Sequence, residues 1–79
     1  MGTTVDREVT VLVERYVKET RGWPSSDYRT EINRREGEVI IVWVIHRDDE
    51  ATPVPGGGRS FEAHVDAGRM QVVKELRFQ

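Results

Sequence analysis

Seven consecutive apolar residues, Val39-Ile40-Ile41-Val42-Trp43-Val44-Ile45, occupy the middle of this 79-residue chain, and all but Trp43 are β-branched. A membrane-spanning helix needs about 20 apolar residues, so this run is too short to cross a bilayer. Its β-branching, and the Glu36-Gly37-Glu38 turn signal before it, argue for a strand rather than a buried helix. A strand that is apolar on both faces normally sits inside a sheet covered on both sides. Only one other segment reads as a possible cover. One sheet face is therefore expected to meet a partner.

That cover is an amphipathic helix over residues 4–21. Val5, Val9, Leu12, Val13, Tyr16 and Val17 recur at steps of three and four, which places them on one stripe. Thr3 or Thr4 suits the N-cap, with Asp6 and Glu8 in the first turn. Lys18 and Arg21 suit the last turn. Gly22 fits the left-handed position that follows a helix, and Pro24 prevents continuation. Valine is a mediocre helix former, so this helix must be held by burial against something else.

Strands are expected over residues 28–35, 59–66 and 69–78, because apolar and polar residues alternate there, and over 38–46, which holds the β-branched run. Residues 48–58 carry Asp48-Asp49-Glu50, read as a solvated charge run, followed by Thr52-Pro53-Val54-Pro55-Gly56-Gly57-Gly58. That composition predicts a mobile loop. The expected fold is α+β, one N-terminal helix packed on a four-stranded antiparallel meander in the order α-β-β-β-β.

Turn lengths decide which side chains share a face. A turn at Glu36-Gly37 pairs Ile32 with Ile41 and Thr30 with Trp43. A turn at Ala67-Gly68 pairs Val65 with Met70 and Ala63 with Val72. Symmetric closure of the long loop puts Trp43 opposite Ala63. This register aims Ile41, Trp43 and Ile45 at the helix and turns Ile40, Val42 and Val44 outward. Those three, with Val73, are the expected anchors of a contact surface, and Arg29, Glu31, Glu62 and His64 are its rim. Leaving such side chains bare forgoes roughly 1.5–3 kcal/mol each, and apolar patches with polar rims usually mark contact sites.

The chain has no cysteine, so neither a disulfide nor a thiolate zinc site can staple it. A net charge of −2 argues against a general nucleic-acid binder. The start lacks a basic region and a long apolar run, so no signal peptide or membrane association is expected, and the chain as it stands would be cytoplasmic. A shared metal site at His46 and His64 fails because the expected register holds them on the order of 13 Å apart. Gly56-Gly57-Gly58-Arg59-Ser60 is followed by a strand, where a phosphate-cradling loop needs a helix. Ser25, Ser26 and Ser60 have no evident base. No cofactor, metal or catalytic residue is expected.

The segment Ser60-Phe61-Glu62-Ala63-His64-Val65-Asp66-Ala67-Gly68-Arg69-Met70-Gln71-Val72-Val73 resembles the closing hairpin of PepSY-type domains. There an aromatic-led strand runs into Val-Asp, a Gly turn and a valine strand. The order of elements is similar to the wider cystatin-like group, which includes NTF2-like immunity proteins. The resemblance implies a non-catalytic binding or inhibitory module. Cystatin-like inhibitors use a Gln-x-Val-x-Gly hairpin; Gln71-Val72-Val73-Lys74-Glu75 has no Gly, so no inhibitory residues carry over.

The leading expectation is a protein-interaction or peptide-binding module that contacts a partner, or a second copy as a homodimer, through the outer sheet face. The alternative is a protease-inhibitor or immunity-like protein that inserts the loop of Pro53, Val54, Pro55, Gly56, Gly57 and Gly58 into a target. A third, weaker expectation is an NTF2-like lyase or isomerase with Tyr28 or His64 in a cone between helix and sheet.

Overall fold

A computed structural model describes residues 4–51 and 58–77. Helix α1 spans Thr4–Arg21, and a 3-10 turn at Ser25–Asp27 leads into strand β1, Tyr28–Glu36. Strand β2 is Val39–His46, the short helix α2 is Arg47–Ala51, and strands β3 and β4 are Phe61–Asp66 and Gln71–Arg77. The strands form one antiparallel sheet in sequence order, with α1 across one face. This is the α+β meander that the pattern predicts. Among the described residues, no helix is long and apolar enough to cross a membrane.

The stripe on α1 behaves as its spacing requires. Val9, Val13 and Val17 are fully buried, and Leu12 and Tyr16 flank them against the core. Val5 lies at the margin and is exposed. Gly22, at φ 70°, closes the helix by directing its N–H to the carbonyls of Val17 and Lys18, 3.1 and 3.0 Å away. Trp23 then folds back over the end of the core. Its indole meets the His46 ring edge-on at 4.5 Å and lies 6.4 Å from Phe61.

The sheet register differs from the expected one. The first hairpin turns at Gly37-Glu38, not Glu36-Gly37, since Glu36 pairs with Val39. Gly37 supplies the positive φ of 64°. Asn33 is an extra residue at a bulge, so Ile32 pairs with Val42 and Thr30 with Val44. Across the next pair, Val42 lies opposite Ala63 and Val44 opposite Phe61. A one-residue slip inverts every side chain of a strand. Ile40, Val42 and Val44 therefore lie under α1, each fully buried in the core with Phe61, Ala63 and Val65. They are not surface anchors. Strand β3 keeps the faces expected of it, and β1 does so up to Ile32; β2 is inverted throughout, and the bulge at Asn33 turns Arg35, expected outside, to the helix side.

The inversion has a chemical reason. Compact Ile and Val side chains pack the valine stripe of α1, whereas an indole needs a partner for its N–H. On the outer face Trp43 Nε1–H donates to Glu62 Oε1 at 3.1 Å. The last hairpin differs too. Asp66 Oδ1 accepts the N–H groups of Gly68 and Arg69 at 2.9 and 3.1 Å, so the turn runs over residues 67–70 and β4 starts two residues later than expected. A bulge at Val73 then resets the register, leaving Val72 and Glu75 on the helix side and Leu76 outside.

Polar ties fix the helix at both ends. Arg35 pairs with Asp6 at 3.1 Å near the N-terminus of α1. Near its C-terminus, Arg21 and the Tyr16 hydroxyl both donate to the Glu75 carboxylate. The Arg21 guanidinium also lies 3.8 Å above the Phe61 ring. The Arg21 hydrogen bond, and then that of Tyr16, holds the Glu75 carboxyl below its ordinary value of 4.5, despite partial burial.

Two predictions test this packing. Val42→Glu places an unpaired charge in the core and should unfold the chain, costing more than about 4 kcal/mol, while Ile45→Glu should cost about 1 kcal/mol. Urea titrations followed by circular dichroism measure both; equal costs would contradict the register. Because the folded Glu75 carboxyl lies below its unfolded value, its contribution is complete above that value and is lost as pH falls through the folded one. Glu75→Gln should therefore lower stability at pH 7 and flatten the decline below about pH 5. An unchanged acid slope would contradict this tie.

Candidate functional site

The register sorts the outward side chains into rows across the strands. Glu31, Trp43, Glu62 and Leu76 form one row, and Arg34, Ile41, His64 and Lys74 form the next. Glu36, Val39, Asp66 and Gln71 make a third, and Arg29 stands beside Ile45 at the other end. Each row thus has an apolar residue from β2 with polar neighbours, broken only by Leu76 on the far edge. The bulge at Asn33 is what returns Arg34 to this face and sends Arg35 under the sheet to Asp6.

No described element lies over this face, yet its centre is not bare. Ile41 is 0% exposed although it lies outside the helix-side core cluster. Val39, Trp43 and Ile45 are half-buried, while Leu76 and Val73 are 41% and 52% exposed. Of the expected contact residues, Arg29, Glu31, Glu62 and His64 do lie on the outer face, and Val73 is exposed at its bulge. Ile40, Val42 and Val44 belong to the core. The apolar line of the outer face is instead Val39, Ile41, Trp43 and Ile45.

Electrostatics make the face mixed rather than one-signed. Burial pushes the Glu62 carboxyl up, but hydrogen bonds from His64 and Trp43 outweigh it and hold the group below its ordinary range. His64 Nε2 lies 3.2 Å from Glu62 Oε2, and Arg34 pairs with Glu36 at 2.7 Å. Arg29 reaches Glu50 of α2 at 3.0 Å. Glu31 and Lys74 make no ion pair among the described residues.

The second expected site begins where β2 ends. Pro53, Val54, Pro55, Gly56 and Gly57 lie outside the described residues; Gly58 lies within them. Residues Arg47–Ala51 form a helical turn where a loop was expected, and Asp49 is a clamp rather than part of a solvated run. Its carboxylate accepts the N–H groups of Arg59 and Ser60, at 3.1 and 2.7 Å, and the Ser60 hydroxyl. Burial raises the Asp49 carboxyl, and those donors more than offset it, leaving it low. A Cβ on Gly58 would meet Asp49 Oδ2 at 2.6 Å, so glycine is needed where the clamp closes. Nothing in the sequence signalled this except an acidic residue facing a Gly-Arg-Ser across the loop.

The geometry for chemistry is unfavourable. Ser60 is buried, accepts the His46 backbone N–H at 2.9 Å and donates to Asp49, so its oxygen is already engaged. His46 Nδ1 accepts the Asp48 N–H at 3.1 Å, and the ring is buried against Trp23. His64 lies on the outer face, away from any space between helix and sheet, whereas Tyr28 lies on the helix side. Tyr28 borders an open groove of about 600 Å³ with Trp23, Glu14 and Lys18. Burial, and then the charge of Glu14, pushes its phenol up, away from use as a base near neutrality.

Compared with protein-family models, with curated proteins and with solved structures, the chain gives no match.

Proposed function

We propose that this chain is a non-catalytic protein-contact module that docks another polypeptide through its outer sheet face. The observation that carries this is the apolar line Val39, Ile41, Trp43 and Ile45, flanked by polar residues and with no described layer above it. Trp43 suits an anchor. Its N–H is already satisfied by Glu62, so covering the ring strands no donor. Tryptophan and arginine also dominate binding energy at protein interfaces, and Arg29 and Arg34 border this line. The place of His64 on the outer face, the raised Tyr28 phenol and the engaged oxygen of Ser60 weigh against catalysis. The likeness of the closing hairpin to PepSY-type domains points the same way.

A second reading rests on the Asp49 clamp, which pins both ends of the segment between α2 and β3. A loop held at its base is well placed to be presented to a target enzyme. Panning a random peptide library on phage against the folded chain separates the two readings. The outer-face reading predicts enriched peptides whose binding falls at least ten-fold on Ile45→Glu and is unchanged by Val11→Glu on the exposed side of α1. Binding that survives Ile45→Glu but disappears on deletion of residues 54–57 would favour the loop. Failure to enrich any peptide that depends on Ile45, in a chain that also does not self-associate, would overturn the outer-face reading.

A further inference from the structure

The charges on the outer face are arranged so that the face complements itself. A two-fold axis lying across the strands, midway between the Trp43 row and the Ile41 row, exchanges those two rows between facing copies. Glu31 then faces Arg34 of the other copy, and Arg34 faces its Glu31. Glu62 faces His64, Trp43 stands over the position of the buried Ile41, and Leu76 covers the stem of Lys74. One row further out, Arg29 faces Glu36 and Ile45 faces Val39. The main alternative fits less well. An axis along β2 would set the Glu31 edge over the Glu62 strand and bring like charges together.

We propose that the occupant of this face is a second copy of the chain, packed sheet to sheet about the transverse two-fold. The inference rests on the contact-surface reading above and adds the partner and its orientation. An isologous contact requires one patch to complement itself, and alternation of sign along β1 provides that. It also gives Glu31, which has no ion pair among the described residues, a partner. The bulge at Asn33 is essential, because without it Arg34 would turn inward and the alternation would fail. Two sheets stacked face to face pack about 10 Å apart with strands within about 30° of alignment, which this axis permits. Four strands about 4.8 Å apart make a face roughly 20 Å square. That lies at the small end of specific interfaces and predicts a dimer with a dissociation constant in the micromolar range.

Sedimentation equilibrium on the full chain from about 1 μM to 1 mM tests the proposal. Wild type should pass from monomer to dimer over this range. Glu31→Arg and Arg34→Glu each create two like-charge contacts per dimer and should weaken it at least ten-fold. The double variant Glu31→Arg/Arg34→Glu restores both pairs and should return to within about three-fold of wild type. An equimolar mixture of the two single variants should form a heterodimer, because each then supplies what the other lacks. Both residues are exposed, and circular dichroism confirms that each variant is folded. A wild type that stays monomeric at 1 mM, or a dimer indifferent to both single variants, overturns the second copy as partner. If phage peptides still depend on Ile45 in that case, the contact-surface reading stands with a different polypeptide; if they do not, both fail.

Discussion

The packing of Ile40, Val42 and Val44 beneath Val9, Val13 and Val17 is the constraint on which the rest of the structure depends. Fully burying one such side chain contributes roughly 1.5–3 kcal/mol, and a chain of this size holds only a modest reserve. With no disulfide available, this valine-rich layer holds a helix that its own propensities would leave marginal. Phe61 and Trp23 close one end of the layer. The Glu75 carboxylate then ties the last turn of α1 to β4 through Tyr16 and Arg21, and Asp6 with Arg35 secures the other end.

Once β2 commits its even-numbered side chains to the helix, its odd-numbered ones must face away. This is why the outer face has an apolar centre at all. Ile41 is fully buried and Trp43 is tied to Glu62, so the exposed apolar area is smaller than four bare residues would suggest. What remains is a shallow, mixed surface with alternating charge along β1. Such a surface suits a modest and specific contact better than an obligate one.

Much of this was legible in the sequence. The helix bounds follow from the spacing of Val9, Val13 and Val17 and from the Gly22 to Pro24 stop, and alternation placed the faces of β3, and of β1 as far as Ile32, correctly. The facing of β2 was not legible, and the reason is physical. A run that is apolar at every position has no polar side to mark it, so its orientation rests on turn length, and one residue of slip inverts it. Asn33 continues the polar side of the alternation and Val73 is an ordinary strand residue, so their bulges leave no local mark. Asp66 before Ala67-Gly68 was a readable sign of a side-chain-closed turn that lengthens the last hairpin. The α2 turn and the Asp49 clamp depend on a partner ten or so residues away, which no local pattern reveals. Of the expected surface, its polar rim and Val73 stayed exposed or half-buried outside, and its three anchors on β2 exchanged places with the core.

The orientation of β2 is the central claim, and a methyl and aromatic NOESY spectrum tests it most directly. The account predicts cross-peaks from the Val13 methyls to at least one of Ile40, Val42 and Val44, and from the Trp43 indole to Glu62 but not to α1. Cross-peaks between the Trp43 indole and Val9, Val13 or Val17 would contradict it, and with it the identity of the outer face.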